Sequence, residues 1–289
     1  MRLRAGRRGA AAACAGALGV VAAALLPSCR GNDAAPADSA ATTSAPATTG
    51  GAANYVATVV RSYPHDPAAF TEGLFIKDGK LYEGTGLDGS STPPGQSDIR
   101  RTDLATGAVE LRRALDPKYF GEGIAAVGDV LYELTWKSGK AFTYDLATFK
   151  PRPQTFTYDG EGWGLTTDGT SLIMSDGTAR LRFLDPKTFA VRRTLAVHDG
   201  ASPVSQLNEL EWVKGEILAN IWQSQQIARI DPTTGAVTGW VDLSALPLAT
   251  DRTGKEDVLN GIAYDAAQDK LYVTGKNYAR LYEVRLDRR

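Results

Sequence analysis

The sequence predicts an all-β fold built from five consecutive repeats. The first observation is a short unit that recurs. Glu72 sits in Phe70-Thr71-Glu72-Gly73-Leu74, and Glu122 in Phe120-Gly121-Glu122-Gly123-Ile124. Trp163 sits in Glu161-Gly162-Trp163-Gly164-Leu165, Asn208 in Leu207-Asn208-Glu209-Leu210, and Asn260 in Leu259-Asn260-Gly261-Ile262. The intervals between these key residues are 50, 41, 45 and 52 positions, a spacing typical of one four-stranded unit. The second observation is a pair of complementary ragged ends. A β-rich run, Val56 to Val60, precedes the first repeat, and the last repeat stops one strand short at Arg289. The economical solution is a ring in which the N-terminal strand completes the last unit and leaves no open strand edge. The prediction is a five-bladed β-propeller.

Within each repeat the elements follow in one order. The first strand carries the key residue, as in Glu72 to Ile76. The turn Lys77-Asp78-Gly79-Lys80 leads to the second strand, Leu81-Tyr82-Glu83. The third strand runs into an Asp-marked turn, as in Asp103-Leu104-Ala105-Thr106-Gly107 or Asp231-Pro232-Thr233-Thr234-Gly235. Pro and Gly stand where turn dihedrals favour them. Fourth strands are Ala108 to Leu115, Gln154 to Tyr158, Arg192 to Val197 and Val237 to Leu243.

The first part of the chain reads differently. Arg2, Arg4, Arg7 and Arg8 precede the apolar run Ala10 to Leu26. Leu26-Pro27-Ser28-Cys29 then resembles the bacterial lipobox. Residues 1–28 are expected to be an export signal, because the apolar run falls short of the ~20 residues a spanning helix needs. Cys29 becomes the expected lipid attachment point. Cys14 would leave with the signal, so no disulfide and no cysteine metal cluster is expected. Residues 29–54 are small and polar, cannot bury enough surface to offset their ordering entropy, and read as a tether. The folded domain is expected over 55–289. The expected location is outside the cytoplasm, periplasmic or at the cell surface, held to the membrane by the lipid alone.

Removing four arginines from a formal net charge of −1 leaves −5, which gives no footing for nucleic acid. A monomer is expected.

Ring geometry brings the first strands around one axis. Glu72, Glu122, Trp163, Asn208 and Asn260 should therefore converge, although structural hydrogen bonds remain an alternative for any one of them. Trp136, Trp222 and Lys276 follow the second strands and are placed to reach the same mouth. Trp212 and Trp240 read as core. His65 and His198 each precede an Asp at a turn and read as structural. No metal motif, nucleophile elbow or phosphate loop is present.

The segment Tyr63-Pro64-His65-Asp66-Pro67-Ala68-Ala69-Phe70-Thr71-Glu72-Gly73-Leu74 resembles the opening of the plant and bacterial type of glutaminyl-peptide cyclotransferase, or glutaminyl cyclase. The resemblance continues through Leu134-Thr135-Trp136, Glu161 to Leu165, Leu207 to Trp212, Asn220-Ile221-Trp222 and Leu259 to Tyr264, and covers residues 55–286. It implies a five-bladed propeller. It also implies cyclisation of an N-terminal glutamine on a peptide or protein to pyroglutamate, with loss of ammonia and without a cofactor or metal. Carried over, Glu122 is the acid–base residue, with Asn208 and Lys276 beside it. Phe70, Trp136, Trp163 and Trp222 line the substrate pocket, joined from the repeat argument by Glu72 and Asn260. One position departs. The family often has Gln where this chain has Glu72, which adds a negative charge near Glu122 and bears on specificity rather than reaction class. Two alternatives remain open from the residues: a non-catalytic propeller binding peptides or glycans, and a metal-dependent lactonase.

Overall fold

β-Branched and aromatic residues between Gly- and Asp-marked turns form strands throughout, and no helix forms among the described residues. The computed structural model describes residues 51–246, 254 and 256–289. The expected signal, Cys29 and nearly all of the expected tether lie outside them.

β1 (Ala53–Pro64) precedes the repeats. The first comprises β2 (Thr71–Lys77), β3 (Lys80–Thr85), β4 (Asp98–Thr102) and β5 (Val109–Ala114). The second comprises β6 (Gly121–Val127), β7 (Val130–Thr135), β8 (Lys140–Asp145) and β9 (Pro151–Thr157). The third comprises β10 (Leu165–Thr167), β11 (Leu172–Met174), β12 (Arg180–Leu184) and β13 (Val191–Ala196). A small hairpin follows, β14 (His198–Asp199) with β15 (Ser202–Pro203), which the sequence reading did not anticipate. The fourth repeat is β16 (Leu207–Val213), β17 (Glu216–Ile221), β18 (Gln226–Ile230) and β19 (Val237–Asp242). The last has three strands, β20 (Leu259–Asp265), β21 (Lys270–Gly275) and β22 (Arg280–Arg288).

Each of the first three repeats is its own four-stranded antiparallel meander. β1 lies antiparallel to β22, from Tyr55 opposite Arg288 to Pro64 opposite Arg280. Its start also runs parallel to β19, Ala53 opposite Gly239 through Val56 opposite Asp242. The last two repeats thereby join into one eight-stranded sheet. This corrects the expected boundary. Ala53 and Asn54 belong to a strand rather than to the tether, because β19 and the Arg289 amide, donating to Asn54 O at 2.8 Å, supply their partners.

First strands touch in cyclic order: β2 meets β6, β6 meets β10, β10 meets β16, β16 meets β20, and β20 meets β2. Hydrophobic clusters fill the space between successive repeats. Tyr63, Leu74, Leu81, Ala263, Tyr272 and Leu281 pack the last repeat against the first. Trp212 and Trp240 pack against the cluster between the third and fourth.

The junction of last and first repeats also holds a buried charged network. His65 Nδ1 donates to Tyr278 O at 2.6 Å, and Nε2 donates to Glu83 Oε1 at 3.0 Å. Arg100 donates to Asp98 at 2.7 Å and to Asp66 at 2.8 Å.

Candidate active site

Most key residues of the repeats sit on β-bulges. The pairing of β2 with β3 shifts register between Thr71 and Gly73, at Glu72. The same shift spans Glu122 in β6, Asn208 in β16 and Asn260 in β20. A bulge bends its strand and re-aims one side chain, which is why bulges gather at sites. The bulged ends are pinned alike. Trp136 N donates to Phe120 O at 3.0 Å, Trp222 N to Gln206 O at 2.9 Å, and Lys276 N to Val258 O at 3.0 Å. Each residue following a second strand is thus held beside the residue two positions before a key residue.

The third repeat departs from this plan. Trp163 was expected on the first strand, but β10 starts only at Leu165, and Trp163 lies in the segment before it. Its backbone is fixed from the neighbouring repeat, with Gly123 N donating to Trp163 O at 2.8 Å. The glycines after the first three key residues allow this approach. A Cβ on Gly123 would meet Trp163 O at 2.5 Å, and one on Gly164 would collide with Asn208 O. The fourth repeat puts Glu209 at the glycine position. Its carboxylate reaches across to accept Leu74 N at 3.2 Å and Ile262 N at 2.8 Å. Glu209 therefore ties β16 to β2 and β20, and burial holds its carboxyl well above the usual range.

A pocket of about 390 Å³ opens where these ends converge. It is lined by Phe70, Glu72, Glu122, Trp136, Trp163, Asn208, Trp222 and Lys276, all expected, and by Phe120, Gln223, Asp257 and Val258, which were not. Phe120 stands two positions before Glu122, as Phe70 does before Glu72, so the repeat register could have found it. Phe120 packs edge-on against Phe70 at 6.2 Å and leans on Trp136 at 5.6 Å, while Trp163 meets Trp222 at 5.7 Å. Trp222 and Asp257 are exposed and mark the mouth.

Asn260 is the exception among the expected site residues. It is fully buried and does not line the pocket. Its Nδ2 donates to Thr71 O at 2.9 Å and to Glu72 Oε2 at 3.1 Å. The carboxylate draws the amide away from the cavity, so Asn260 supports Glu72 rather than meeting substrate.

Lys276 Nζ donates to Glu72 Oε1 at 2.7 Å and lies 4.5 Å from the centre of the Phe70 ring. Burial pulls the lysine down, but the Glu72 and Glu122 charges outweigh it, and its pKa is raised. Glu122 is held well above the usual carboxyl range by burial first and by the Glu72 charge second, against the pull of Lys276. Glu72 is raised less, because Lys276 answers its burial directly. Of the two carboxyls, Glu122 is therefore the one whose protonated form its surroundings favour more. The Asn208 side-chain amide has no hydrogen bond among the described residues, although the residue is only 3% exposed.

Of the three indole N–H groups at the pocket, two are already engaged. Trp136 Nε1 and Trp163 Nε1 both donate to Glu161 Oε2, at 2.7 and 2.9 Å. Trp222 has no such bond among the described residues.

A larger groove of about 550 Å³ runs between β17–β18 and β22. Its charges pair among themselves, Arg229 with Glu216, Lys214 with Asp269 at 2.5 Å and Lys270 with Glu283 at 3.5 Å. It reads as satisfied surface, so the smaller aromatic pocket is the candidate site.

The glutamine cyclotransferase family model matches residues 33–286. The chain belongs to this family. A glutaminyl-peptide cyclotransferase of Arabidopsis thaliana is 42% identical over 231 residues, spanning 79% of this chain and 70% of the plant protein. The crystal structure of Myxococcus xanthus glutaminyl cyclase superposes with a TM-score of 0.75 at 38% identity, over 82% of this chain and 99% of that one. The family match spans the residues that build the pocket, from Phe70 to Lys276.

Proposed function

We propose that this glutamine cyclotransferase converts the N-terminal glutamine of peptides or proteins to pyroglutamate at the aromatic pocket, with Glu122 moving the protons. The observation that carries this reading is Glu122 itself, a pocket-lining carboxyl at 5% exposure beside the Glu72–Lys276 pair, where burial and the Glu72 charge favour its protonated form. Nucleophile and electrophile are parts of one residue, so the pocket needs chiefly to fold that residue back and shuttle protons.

A protonated carboxyl offers one O–H donor and one carbonyl acceptor. The substrate α-amine nitrogen attacks its own side-chain carboxamide carbon, and the carbonyl π pair moves onto oxygen. Glu122 accepts the proton released by the attacking nitrogen on one oxygen and gives its own proton to the amide nitrogen. The oxygen lone pair then reforms the carbonyl, the C–N bond to the amide nitrogen breaks, ammonia leaves, and Glu122 is again an acid. Asn208, whose amide is otherwise unbonded, and the Trp222 N–H are the donors suited to the oxyanion. The rings of Phe70, Phe120, Trp136 and Trp163 exclude water from the folded-back side chain. The rest of the peptide leaves past Trp222 and Asp257.

The test is mass spectrometry of a Gln-initiated peptide after incubation. Loss of one ammonia supports the reading, and an unchanged peptide that still binds would make the pocket a binding module.

The cyclic contacts of the first strands and the pairing of β1 with β22 support a finer description of the fold, a five-bladed propeller closed by its N-terminal strand. We also propose that the protein is exported and anchored through Cys29, on the strength of the lipobox-like Leu26-Pro27-Ser28-Cys29. Cys29→Ser should release it from the membrane fraction with turnover unaltered. Retention on the membrane would refute the anchor.

A further inference from the structure

The aromatic wall of the pocket is held by a residue outside its lining. Glu161 is absent from the cavity surface, yet one of its oxygens, Oε2, accepts both Trp136 Nε1–H and Trp163 Nε1–H. The two tryptophans come from different repeats, one after β7 and one before β10. A single acceptor therefore couples the wall across the gap between neighbouring sheets. The loop carrying Glu161 is fixed in turn. Arg182 of β12 donates to Asp159 O at 2.9 Å and to Glu161 O at 3.1 Å, and it pairs with Asp176 at 3.3 Å. Gly162 N donates to Trp136 O at 2.9 Å, so the same loop also grips the Trp136 backbone.

We infer that Glu161 is a positioning residue for the cyclisation, clamping both indoles so that they turn ring surface, not N–H, toward the substrate. The inference rests on the cyclase reading of the pocket. Its chemical consequence is a division of the walls. A free indole N–H on the Trp136–Trp163 side would compete for the substrate carboxamide oxygen. With both bonds spent on Glu161, the indole donor left to the carboxamide oxygen is the Trp222 N–H, alongside the Asn208 amide, while Lys276 is engaged by Glu72. The carboxamide then has one favoured orientation, its oxygen toward those donors and its nitrogen toward Glu122.

Two substitutions separate clamp from charge. Glu161→Gln keeps a carbonyl oxygen with two lone pairs, whereas Glu161→Ala removes the acceptor and leaves two N–H groups unpaired. Glu161→Ala should raise KM for a Gln-peptide by about tenfold or more, with a smaller effect on kcat, since two charge-assisted hydrogen bonds are lost. Glu161→Gln should stay within about threefold of the parent KM, a loss well under the 1.4 kcal/mol of a tenfold change. Equal losses in both variants would assign the effect to the carboxylate charge and overturn the clamp. The second readout needs no turnover. Nitrogen-15-labelled tryptophan gives one indole signal for each of the five tryptophans. Glu161→Ala should displace together the two signals that disappear in Trp136→Phe and Trp163→Phe. If only one moves, or neither, the shared acceptor is wrong. Should Glu161→Ala not fold, Trp136→Phe alone should displace the Trp163 signal, because that indole gains sole use of Oε2, and an unmoved signal overturns the inference. A parent protein that releases no ammonia would sink the cyclase reading, while the indole signals would still decide the clamp.

Discussion

Lys276 Nζ stands 2.7 Å from Glu72 Oε1, with the two residues only 7% and 2% exposed. The pair neutralises itself. Glu122, the third charge-bearing group at this point, has no ion pair of its own among the described residues, and burial with the Glu72 charge holds it well above the usual carboxyl range. Glu72 therefore does more than add a charge: it commits Lys276.

Glu72→Gln should free the Lys276 ammonium to act on Glu122. A nearby opposite charge favours the ionised carboxylate, and the raising effect of the Glu72 charge disappears as well. Because the proposed cycle starts from protonated Glu122, the alkaline limb of the pH–rate profile should move to lower pH, with turnover retained below it. A pH profile matching the parent would show that the Glu72–Lys276 pair does not set the Glu122 proton.

Glu122→Gln keeps size and polarity but cannot exchange a proton. A positioned acid–base group contributes ~10²–10⁴-fold, so kcat should fall by that order with the thermal midpoint nearly unchanged. If Glu122→Gln turns over normally and Glu72→Gln is inactive, the two roles are reversed.

Strand β1 should mark the limit of tolerated truncation. Removing residues 1–50 leaves Ala53–Pro64 intact, and the shortened protein should melt with the parent. Removing residues 1–61 takes the partner of β22 and the start that pairs with β19. A loss of several kcal/mol in a domain of this size lowers the midpoint by roughly 10 °C or more. Equal midpoints for the two truncations would refute the closing role of β1.

His65 should make stability fall at alkaline pH. Tyr278 O and Glu83 Oε1 are both acceptors, so both ring nitrogens carry hydrogen and the ring is a cation. Burial pushes its pKa down, but the Glu83 carboxylate more than reverses this, and the net shift is upward. The folded value exceeds the unfolded one of about 6.5, so the stabilisation is complete below that pH and is lost as pH rises through the folded value. Burial also raises Glu133 to about 7 and Glu211 to about 8, and each adds its own loss above the ordinary carboxyl range. The informative quantity is thus the difference between parent and His65→Gln across a pH series of melts. It should shrink as the pH increases, and a constant difference would show that His65 is not charged.

Local pattern alone determined the strand order, the recurrence of one key residue per repeat, and most of the pocket. Turn residues and alternating apolar positions act over a few residues, so they are legible without the fold. Phe120 could be read from the register it shares with Phe70. Glu161 holds that same register position, but a carboxylate there has no evident purpose until Trp136 and Trp163 are seen to share it. Asn260 has the register of Glu122, yet it turns to Glu72, 188 positions away in sequence. Only the tertiary structure decided these directions. A bulge fixes which residue is freed from the ladder, but its side chain turns toward the strongest partner that a neighbouring repeat supplies. That partner is set by how the sheets pack, not by anything within reach along the chain.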